Sequence, residues 1–415
     1  MRKKSVFVNC MEALTANRKH NEARALLNAG LKESAQRQTA ATAPAYVPTK
    51  PYVFPAVDGN MTYHTSWGSH GVRKEAETIL SVLSSFHLRS TLAKINQGPR
   101  LTQYVIEPAP GTQVQSILRH EKEFQAALHC NASLRFDNGY VYIEVPTGTE
   151  TVFLGDMLID NAFQSSDGFT MAIGMAVDGS KHYIDIAKAC HILISGMTGS
   201  GKSIVLHDLI LSLLMKKNPA QMHLYIIDPK ATEFEYYKNL AACTVVSEVN
   251  GAVELLKNLC IEMDRRYSIL ASTGCRDIDS YNTKFADAPM RRDIVFIDEL
   301  SDLMSMGGKS VEGHIVRIAQ KARACGIHLV IATQYPVAKV VTGLIKANMP
   351  TKICLRVGTV TNSMVALDMA GGEKLMGHGD MLFLPNGSLT PVRLQGGFVS
   401  ETAINNIVGG LMKNQ

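Results

Sequence analysis

Eight consecutive residues near the middle of the chain have the types and order of a phosphate-binding loop. The pattern is G-x-x-x-x-G-K-S, and it is formed by Gly196, Met197, Thr198, Gly199, Ser200, Gly201, Lys202 and Ser203. In such a loop the backbone N–H groups cradle phosphates, the lysine reaches the β- and γ-phosphates of ATP, and the serine hydroxyl binds Mg²⁺. A glycine turn that binds nothing is the alternative. The apolar run before the loop (192–194) and the helix-like run after it (204–215) favour the nucleotide site.

Two adjacent carboxylates, Asp298 and Glu299, follow the apolar run 294–297. The C-terminal ends of strands in α/β sheets are where ligands bind. We therefore predict that Asp298 holds Mg²⁺ and that Glu299 polarises the attacking water as general base. A solvated strand end explains the pattern equally well when it is taken alone. The complete phosphate loop upstream favours the catalytic interpretation.

Two further residues are candidates for the same site. Gln334 ends the run 328–334 and is predicted to hydrogen-bond the γ-phosphate or the attacking water, with an ordinary polar strand end as the alternative. Arg323 is expected in the last turn of a helix, shortly before Gly326. The local pattern favours a cation stabilised by the helix dipole over an arginine finger directed at a neighbouring subunit's ATP.

Two other polar segments are less informative. Asp228-Pro229-Lys230 ends another apolar run and could be a turn or part of a coupling device. Arg265 and Arg266 are expected on a solvated helix face.

Composition narrows the class of protein. The 415 residues are 46% hydrophobic and 19% charged, as in a globular protein with a large core. The eight cysteines are scattered without C-x-x-C spacing, so no zinc or thioredoxin-like site is predicted, and a cytoplasmic location is expected. No run of about eighteen apolar residues occurs, so no integral membrane segment is expected.

We predict three regions. Residues 1–60 form a basic N-terminal arm and an Ala/Thr/Pro-rich linker; positions 1–50 hold nine Lys/Arg against three Asp/Glu, and the remainder holds 33 against 34. The arm could bind DNA, an acidic partner or a membrane surface, or could be a solvated tail. Residues 61–150 are predicted to form a small α+β module. Residues 151–415 alternate strands and helices, which predicts an α/β fold with a RecA-like P-loop NTPase core.

Hydrophobic periodicity predicts the individual strands and helices. The predicted strands are 102–107, 132–136, 140–145, 183–187, 190–195, 223–228, 243–247, 293–298, 327–333, 351–357 and 380–384. The predicted helices are 74–86, 114–128, 202–216, 251–272, 309–325 and 361–369.

Several long segments together resemble the FtsK/SpoIIIE family of DNA translocases. They include GMTGSGKS (196–203), IIDPK (226–230), IVFIDELSDLM (294–304), RIAQKARACGIHLVIATQ (317–334) and GHGDML (377–382). The resemblance extends from about residue 75 to 400, and residues 88–117 resemble the family's α domain.

The resemblance implies a ring-forming motor, usually hexameric, that uses ATP and Mg²⁺ to move double-stranded DNA. Lys202 and Ser203 match the phosphate-loop pair, Asp298 and Glu299 the acidic pair, and Gln334 the sensor glutamine. Arg323 matches the family's proposed trans-acting arginine, so the resemblance favours the arginine finger that the local pattern did not. Lys346 matches a region associated with the ring channel, where its side chain could contact DNA phosphates.

The chain departs from the family pattern in three ways. It contains no run that predicts the transmembrane helices of membrane-anchored members, and it ends at Gln415 without a winged-helix segment. Asn362-Ser363-Met364 stands where many members have Asp-Ser-Arg. Two other functions remain open: a protein-export ATPase of the type VII secretion kind, and a nucleotide-gated DNA-binding adaptor. Glu299 argues against the adaptor, because a switch does not need hydrolysis.

Overall fold

A four-stranded antiparallel sheet forms the first part of the described chain, residues 72–146, which we call the small subdomain. The computed structural model describes residues 72–146, 148 and 151–413, so the predicted arm and linker (1–60) lie outside the described residues. The sheet order is β1-β2-β4-β3. The elements are α1 (Val72–Ser85), β1 (Ser90–Gln97), β2 (Leu101–Pro108), α2 (Val114–Arg119), α3 (Glu121–Leu128), β3 (Ser133–Asp137) and β4 (Tyr140–Pro146).

The helices of the small subdomain cover one face of its sheet. Ile79 of α1 and Phe124 of α3 pack with Tyr104 and Ile143 of the central strands, and all four side chains are buried. The hydroxyl of Tyr104 donates to Glu75 at 2.5 Å. Burial and this carboxylate raise the pKa of Tyr104, so the phenol stays protonated.

A ten-stranded mixed sheet forms the rest of the described chain. Its order is β6-β5-β14-β13-β12-β7-β11-β10-β8-β9. The strands from β12 to β9 in this order are parallel, and β13, β14, β5 and β6 extend the sheet by antiparallel pairing. The bounds are β5 (Thr170–Ala176), β6 (Lys181–Asp185), β7 (Ile192–Ser195), β8 (Met222–Ile227), β9 (Cys243–Val246), β10 (Arg292–Ile297), β11 (Ile327–Thr333), β12 (Thr351–Leu355), β13 (Asp380–Leu384) and β14 (Val392–Gln395).

Helices cover both faces of this sheet, as an α/β fold with buried parallel strands requires. They are α4 (Leu154–Leu158), α5 (Asn161–Gln164), α6 (Ile186–Ala189), α7 (Lys202–Leu214), α8 (Val249–Thr273), α9 (Ile278–Lys284), α10 (Leu300–Lys321), α11 (Gly343–Ala347), α12 (Val360–Leu367) and α13 (Glu401–Lys413). Short 3₁₀ turns occur at Glu235–Tyr237 and Gly372–Lys374.

Successive side chains of β10 point to opposite faces of the large sheet, so this strand contributes to the hydrophobic core on each face. Ile294 and Phe296 pack on the α7 side, whereas Val295 and Ile297 pack on the side of α8 and α10. The 25-residue helix α8 contributes Leu256 and Met263 to the second core, which fits the three-and-four spacing of its apolar residues. The predicted α/β core is therefore confirmed.

The boundaries of several predicted elements are wrong for identifiable reasons. The helix predicted over 114–128 is two helices that meet at His120. The helix predicted over 309–325 spans Leu300–Lys321 and contains a kink at Gly308, where φ is 48°. Arg323 consequently lies in the turn after α10, not in its last helical turn.

Three strands, β1, β5 and β14, were not predicted. Residues of β1 are mostly half-exposed or exposed, and a bulge between Leu92 and Lys94 interrupts their alternation. Strand β5 contains two alanines and a glycine, which have low strand propensity, among its seven residues. For these reasons the sequence patterns of β1 and β5 do not indicate strands.

We predicted that Arg265 and Arg266 lie on a solvated helix face, and this prediction is wrong for Arg266. Arg265 is exposed and pairs with Glu262, but Arg266 is buried. Its guanidinium bonds Glu262 at 2.8 Å and Asp293 at 2.5 Å, and it also donates to two backbone carbonyls. Arg266 therefore joins α8 to the start of β10.

Within residues 72–146, 148 and 151–413, no helix has the length and apolar character needed to cross a lipid bilayer.

Candidate active site

Four parallel strands bring the predicted site residues to one edge of the large sheet. Strands β7, β11, β10 and β8 are consecutive neighbours, and the chain leaves their C-terminal ends at Gly196, Gln334, Asp298 and Asp228. The sheet thereby brings together the phosphate loop, the acidic pair and the polar end of β11.

The phosphate loop is fixed by backbone hydrogen bonds to the neighbouring strand ends. The Gly196 N–H donates to the Thr333 carbonyl at 3.1 Å, and the Met197 N–H donates to the Arg356 carbonyl at 2.9 Å. Gly201 has a φ of 98°, a conformation that side chains other than glycine rarely adopt. Helix α7 begins directly at Lys202 without a side-chain cap, which leaves its first N–H groups available to an anion.

Lys202 and Asp298 form a buried ion pair. The Lys202 Nζ donates to the Asp298 carboxylate at 2.5 Å and to its backbone carbonyl at 2.6 Å. The pKa of the Asp298 carboxyl is raised above its usual value. Burial is the largest cause, the neighbouring Asp228 and Glu299 add to it, and Lys202 acts in the opposite direction. The structure therefore places the predicted lysine and the predicted metal-binding aspartate in direct contact.

Glu299 is buried and accepts several hydrogen bonds. One of its oxygens accepts from the Ser301 N–H at 3.1 Å, the Ser301 hydroxyl at 2.7 Å and the Thr333 hydroxyl at 2.8 Å. The other accepts from the Gln334 N–H at 2.9 Å. Glu299 is thus the N-cap of α10 and is linked to the end of β11. Sequence reasoning missed Thr333, although its place just before Gln334 was a usable signal.

The Gln334 side chain contacts the phosphate loop. Its Oε1 accepts from the Thr198 hydroxyl at 2.9 Å. Because the Gln334 N–H is bonded to Glu299, this one residue connects the loop with the acidic pair. Gln334 thus has one hydrogen bond to the phosphate loop and another to Glu299.

The Asp228 carboxylate is hydrogen-bonded to the loop that follows β8. Its buried carboxylate accepts from the backbone N–H groups of Lys230, Thr232, Glu233 and Phe234 at 3.1–3.2 Å. These bonds order the loop after β8, and of the two interpretations left open for Asp228-Pro229-Lys230 they favour the turn.

Arg323 lies at the opposite edge of the sheet from the phosphate loop. It is exposed and lies in the turn that leads into β11. Its charge acts on Cys190 and His191, which immediately precede β7. The seven residues of β11 span roughly 20 Å, which is beyond the reach of an arginine side chain. Arg323 and the phosphate loop of the same chain are therefore not brought together.

Lys346 is engaged within the chain. Its Nζ donates to the Met364 carbonyl at 2.7 Å and pairs with Asp368 at 2.6 Å. Asn362 and Met364 belong to the segment that departs from the family pattern. The Asn362 side-chain amide donates to the Pro336 carbonyl at 3.1 Å, and the Met364 side chain is exposed.

A glycine-containing segment, residues 377–379, supports the phosphate loop from the other side. The Gly379 N–H donates to the Ser200 carbonyl at 2.8 Å, and a Cβ on Gly201 would lie 2.5 Å from the Gly379 nitrogen. Arg100 of the small subdomain donates to the carbonyls of Gly377 at 3.2 Å and His378 at 3.1 Å. Sequence reasoning did not identify Arg100, because it is 277 residues from Gly377.

The two side chains predicted to hold Mg²⁺ lie on α7 and just after β10. Ser203, the second residue of α7, has a partly exposed side chain, and the Asp298 carboxylate lies beside Lys202. Within the described part of the chain, no cluster of three or more His, Cys, Asp or Glu side chains has the arrangement of a metal site.

The fold and the site together define a P-loop NTPase, a nucleotide-binding protein with the phosphate loop after β7 and the acidic pair after β10. Residues 154–338 match the FtsK/SpoIIIE family, and residues 59–147 match the FtsK alpha domain. The chain belongs to the FtsK/SpoIIIE family.

Two relatives illustrate the similarity. The chain is 39% identical over 376 residues to DNA translocase SftA of Bacillus subtilis, covering 86% of this chain and 39% of that protein. It is 39% identical over 351 residues to DNA translocase FtsK of Caldanaerobacter subterraneus subsp. tengcongensis, covering 82% of this chain and 49% of that protein. The chain thus spans less than half the length of each of these two relatives.

Solved structures agree on the fold. The pCW3 conjugation coupling protein TcpA, in a monomer form with ATPγS, has a TM-score of 0.59 and 25% identity. The match covers 82% of this chain and 99% of that structure. The cytoplasmic domain of the Thermomonospora curvata type VII secretion ATPase EccC has a TM-score of 0.55 and 22% identity, over 64% of this chain and 34% of that structure.

Proposed function

We propose that this chain is the motor part of an ATP-driven translocase of double-stranded DNA. The observation that carries the proposal is the linked set Thr198, Gln334, Glu299 and Thr333, which joins the phosphate loop to the acidic pair. A nucleotide-gated adaptor needs no buried glutamate beside the phosphate loop. The relatives named DNA translocase support duplex DNA as the partner.

The proposed hydrolysis begins with an exchange of partners. Lys202 would leave the Asp298 carboxylate to bind the β- and γ-phosphates of ATP, and the Asp298 carboxylate and Ser203 would hold Mg²⁺. When bound, the ion would neutralise charge on the phosphate oxygens. Glu299 then orients the attacking water as general base. Its hydrogen bonds to Thr333 and Gln334 hold the carboxylate in place until Gln334 responds to the γ-phosphate.

Arg323 is proposed to act on the ATP of a neighbouring protomer. The separation of roughly 20 Å from its own phosphate loop excludes action in the same chain, whereas a head-to-tail ring, for which we propose six protomers, would place it against the next site. Its positive charge would stabilise the transferring phosphoryl group.

Contacts to DNA are proposed to be mainly with phosphates and largely indifferent to sequence, so that binding weakens steeply with added salt. Lys346 could contribute to such contacts only by leaving Asp368.

The site assignment can be tested by mixing two inactive variants. Lys202→Ala and Arg323→Ala should each abolish DNA-stimulated ATP hydrolysis. In a mixture, interfaces that pair the phosphate loop of one variant with the arginine of the other are intact, so hydrolysis should partly recover. If the mixture stays as inactive as its components, Arg323 does not act between protomers.

The choice between DNA and protein as the cargo needs a separate measurement. ATP hydrolysis by the wild-type chain should rise with duplex DNA and stay at its basal rate with an export-signal peptide. Stimulation by the peptide and not by DNA would instead support the protein-export function.

A further inference from the structure

A cavity of about 380 Å³ lies between the small subdomain and the large sheet. One wall is the whole of β3, and the opposite wall comes from residues between 369 and 375 and from 389–391. None of the phosphate-loop residues 196–203 lines this cavity. Its volume is within the range of binding pockets, about 300–1,000 Å³.

Strand β3 forms the free edge of the small sheet at this cavity. It is the last strand in the order β1-β2-β4-β3, and all five of its residues line the cavity. Successive side chains of a strand point to opposite faces of the sheet. A cavity lined by all of them therefore follows the edge of the strand.

The turn after β3 determines which backbone groups point into the cavity. The two-residue hairpin loop 138–139 has φ values of 47° and 87°, so the N–H and C=O groups of Asp137 point toward β4. Those of Leu134 and Phe136 consequently point away from β4. The Leu134 N–H donates to the Glu121 carboxylate at 3.3 Å. Among the described residues, no loop or side chain bonds the Phe136 backbone groups.

Apolar side chains surround these open backbone groups. The Phe136 side chain is 48% exposed, and the Leu389 side chain, in the turn between β13 and β14, is 90% exposed. An exposed apolar strand edge is a site where another extended segment can add a strand. Further apolar lining comes from Leu134, Met369, Leu375, Leu382 and Pro391.

Residues 51–57, with the sequence Pro-Tyr-Val-Phe-Pro-Ala-Val, have the pattern of such a segment. In an extended chain, alternate residues direct their N–H groups to opposite edges. Tyr52 and Phe54 supply donors along one edge, whereas Pro51 and Pro55 lack them along the other. The segment therefore has one edge that can pair with a strand and one that cannot.

The connection from this segment to the described residues is long enough to reach β3. Helix α1 begins at Val72, whose carbonyl accepts from the Tyr104 hydroxyl of β2 at 3.2 Å. Only β4 separates β2 from β3, so the two strands are about 10 Å apart. The roughly 18 residues from Phe54 to Val72 span up to about 60 Å when extended.

We propose that residues 51–57 of the same chain pair with the free edge of β3 and occupy this cavity. Phe54 lies opposite Phe136 in an antiparallel hydrogen-bonded pair, which places the two rings on one face of the sheet as cross-strand neighbours. The segment adds a strand to the small sheet and contacts Leu389 on the other wall. It thereby joins the small subdomain to the large sheet, whether or not a nucleotide is bound.

Hydrogen–deuterium exchange of the full chain tests this pairing. Phe54→Ser should speed exchange at the Phe136 amide about tenfold, because burial of one aromatic side chain contributes at least this factor to an equilibrium constant. Leu389→Ser should act similarly, and the double variant should add little, because both changes remove the same contact. Phe7→Ser, in the basic arm, is the matched control and should leave the exchange unchanged.

Three results of this experiment would overturn the proposal. If Phe54→Ser leaves the Phe136 amide at its wild-type rate, residues 51–57 do not pair with β3. If Leu389→Ser has no effect, the segment does not occupy the cavity. Protection that rises with protein concentration means that a second copy supplies the segment, which refutes pairing within one chain.

A synthetic peptide of residues 49–58 separates the chain's own segment from a segment of another protein. Followed by fluorescence anisotropy, the peptide should bind to the Phe54→Ser chain and at least tenfold more weakly to wild type, whose own segment competes at a high effective concentration. The peptide that itself carries Phe54→Ser is the control and should bind to neither chain. Equal binding of the unaltered peptide to both chains, or to neither, would refute occupation by residues 51–57.

Discussion

The buried charge network between the small subdomain and the large sheet makes a quantitative prediction. Glu144 of β4 accepts from Arg393 of β14, from Arg135 at 3.1 Å and from Gln103 at 3.1 Å. Arg393 also donates to Asp380 at 2.7 and 3.0 Å. The side chains of Glu144 and Arg393 are only 4% and 8% exposed. Removing the charge of Glu144 by Glu144→Gln leaves Arg393 buried with one carboxylate instead of two.

The size of the effect follows from that geometry. Breaking a buried ion pair by removing one partner costs about 3–5 kcal/mol. Asp380 still compensates Arg393, so we expect a loss of about 2–3 kcal/mol, equivalent to a melting temperature lowered by roughly 3–6 °C. Glu121→Gln is the matched control, because Glu121 also links the subdomain to the large sheet, through the partly exposed Lys374. It should cost less than about 1 kcal/mol.

Thermal unfolding followed by circular dichroism at pH 7.5 measures both variants. The pH dependence adds a second readout: although burial raises the pKa of Glu144, the arginines Arg393 and Arg135 outweigh it and hold the pKa below its usual range. Its contribution to stability is therefore present above the unfolded-state pKa and is lost as the pH falls through the folded-state pKa. Glu144→Gln should lose that part of the acid sensitivity. Equal melting temperatures for Glu144→Gln, Glu121→Gln and wild type would refute the reasoning.

Three further predictions concern stability and the phosphate loop. Arg266→Ala should cost about 3–5 kcal/mol in urea unfolding because it leaves Asp293 buried without this partner, whereas Arg265→Ala should cost less than about 1 kcal/mol; equal costs would contradict the buried role. Gly201→Ala should abolish nucleotide binding, because φ is 98° and the new Cβ would meet Gly379 at 2.5 Å, while Gly313→Ala, in open space, should bind normally. Burial keeps four histidines neutral by lowering their pKa values to about 3–4. Between about pH 6.5 and pH 4 only the unfolded state takes up protons at these residues, so the free energy of unfolding should fall as the pH drops through this range. A urea midpoint unchanged between pH 7 and 5 would contradict this. The four are His191, His207, His223 and His328.

Local patterns were sufficient to predict much of the candidate site. The phosphate loop, Asp298 and Gln334 each follow an apolar run, and the buried parallel strands place them at one edge of the sheet. The bond between Thr198 and Gln334 spans 136 residues, yet strand order alone brings the two loops together. The contribution of Arg100 could not be predicted, because it depends on how the small subdomain docks against residues 377–379.

Two expectations were wrong because the hydrogen-bond partners of one side chain are not evident in the sequence pattern. Glu299 was assigned a catalytic role and also caps α10, so the helix begins directly after the acidic pair instead of at residue 309. Arg266 has the sequence context of a surface residue, but Asp293 and Glu262 neutralise it inside the protein. The cap is a local contact with Ser301, whereas the burial of Arg266 depends on Asp293, 27 residues away.

Triplex displacement tests the central claim most directly, the claim that ATP hydrolysis at this site drives movement along duplex DNA. A third strand bound at one end of a linear duplex is released only if a motor arrives there. We expect ATP-dependent release by the wild-type chain, and no release with ATPγS or with Glu299→Gln. ATP hydrolysis that is stimulated by the duplex while the third strand stays bound would contradict it.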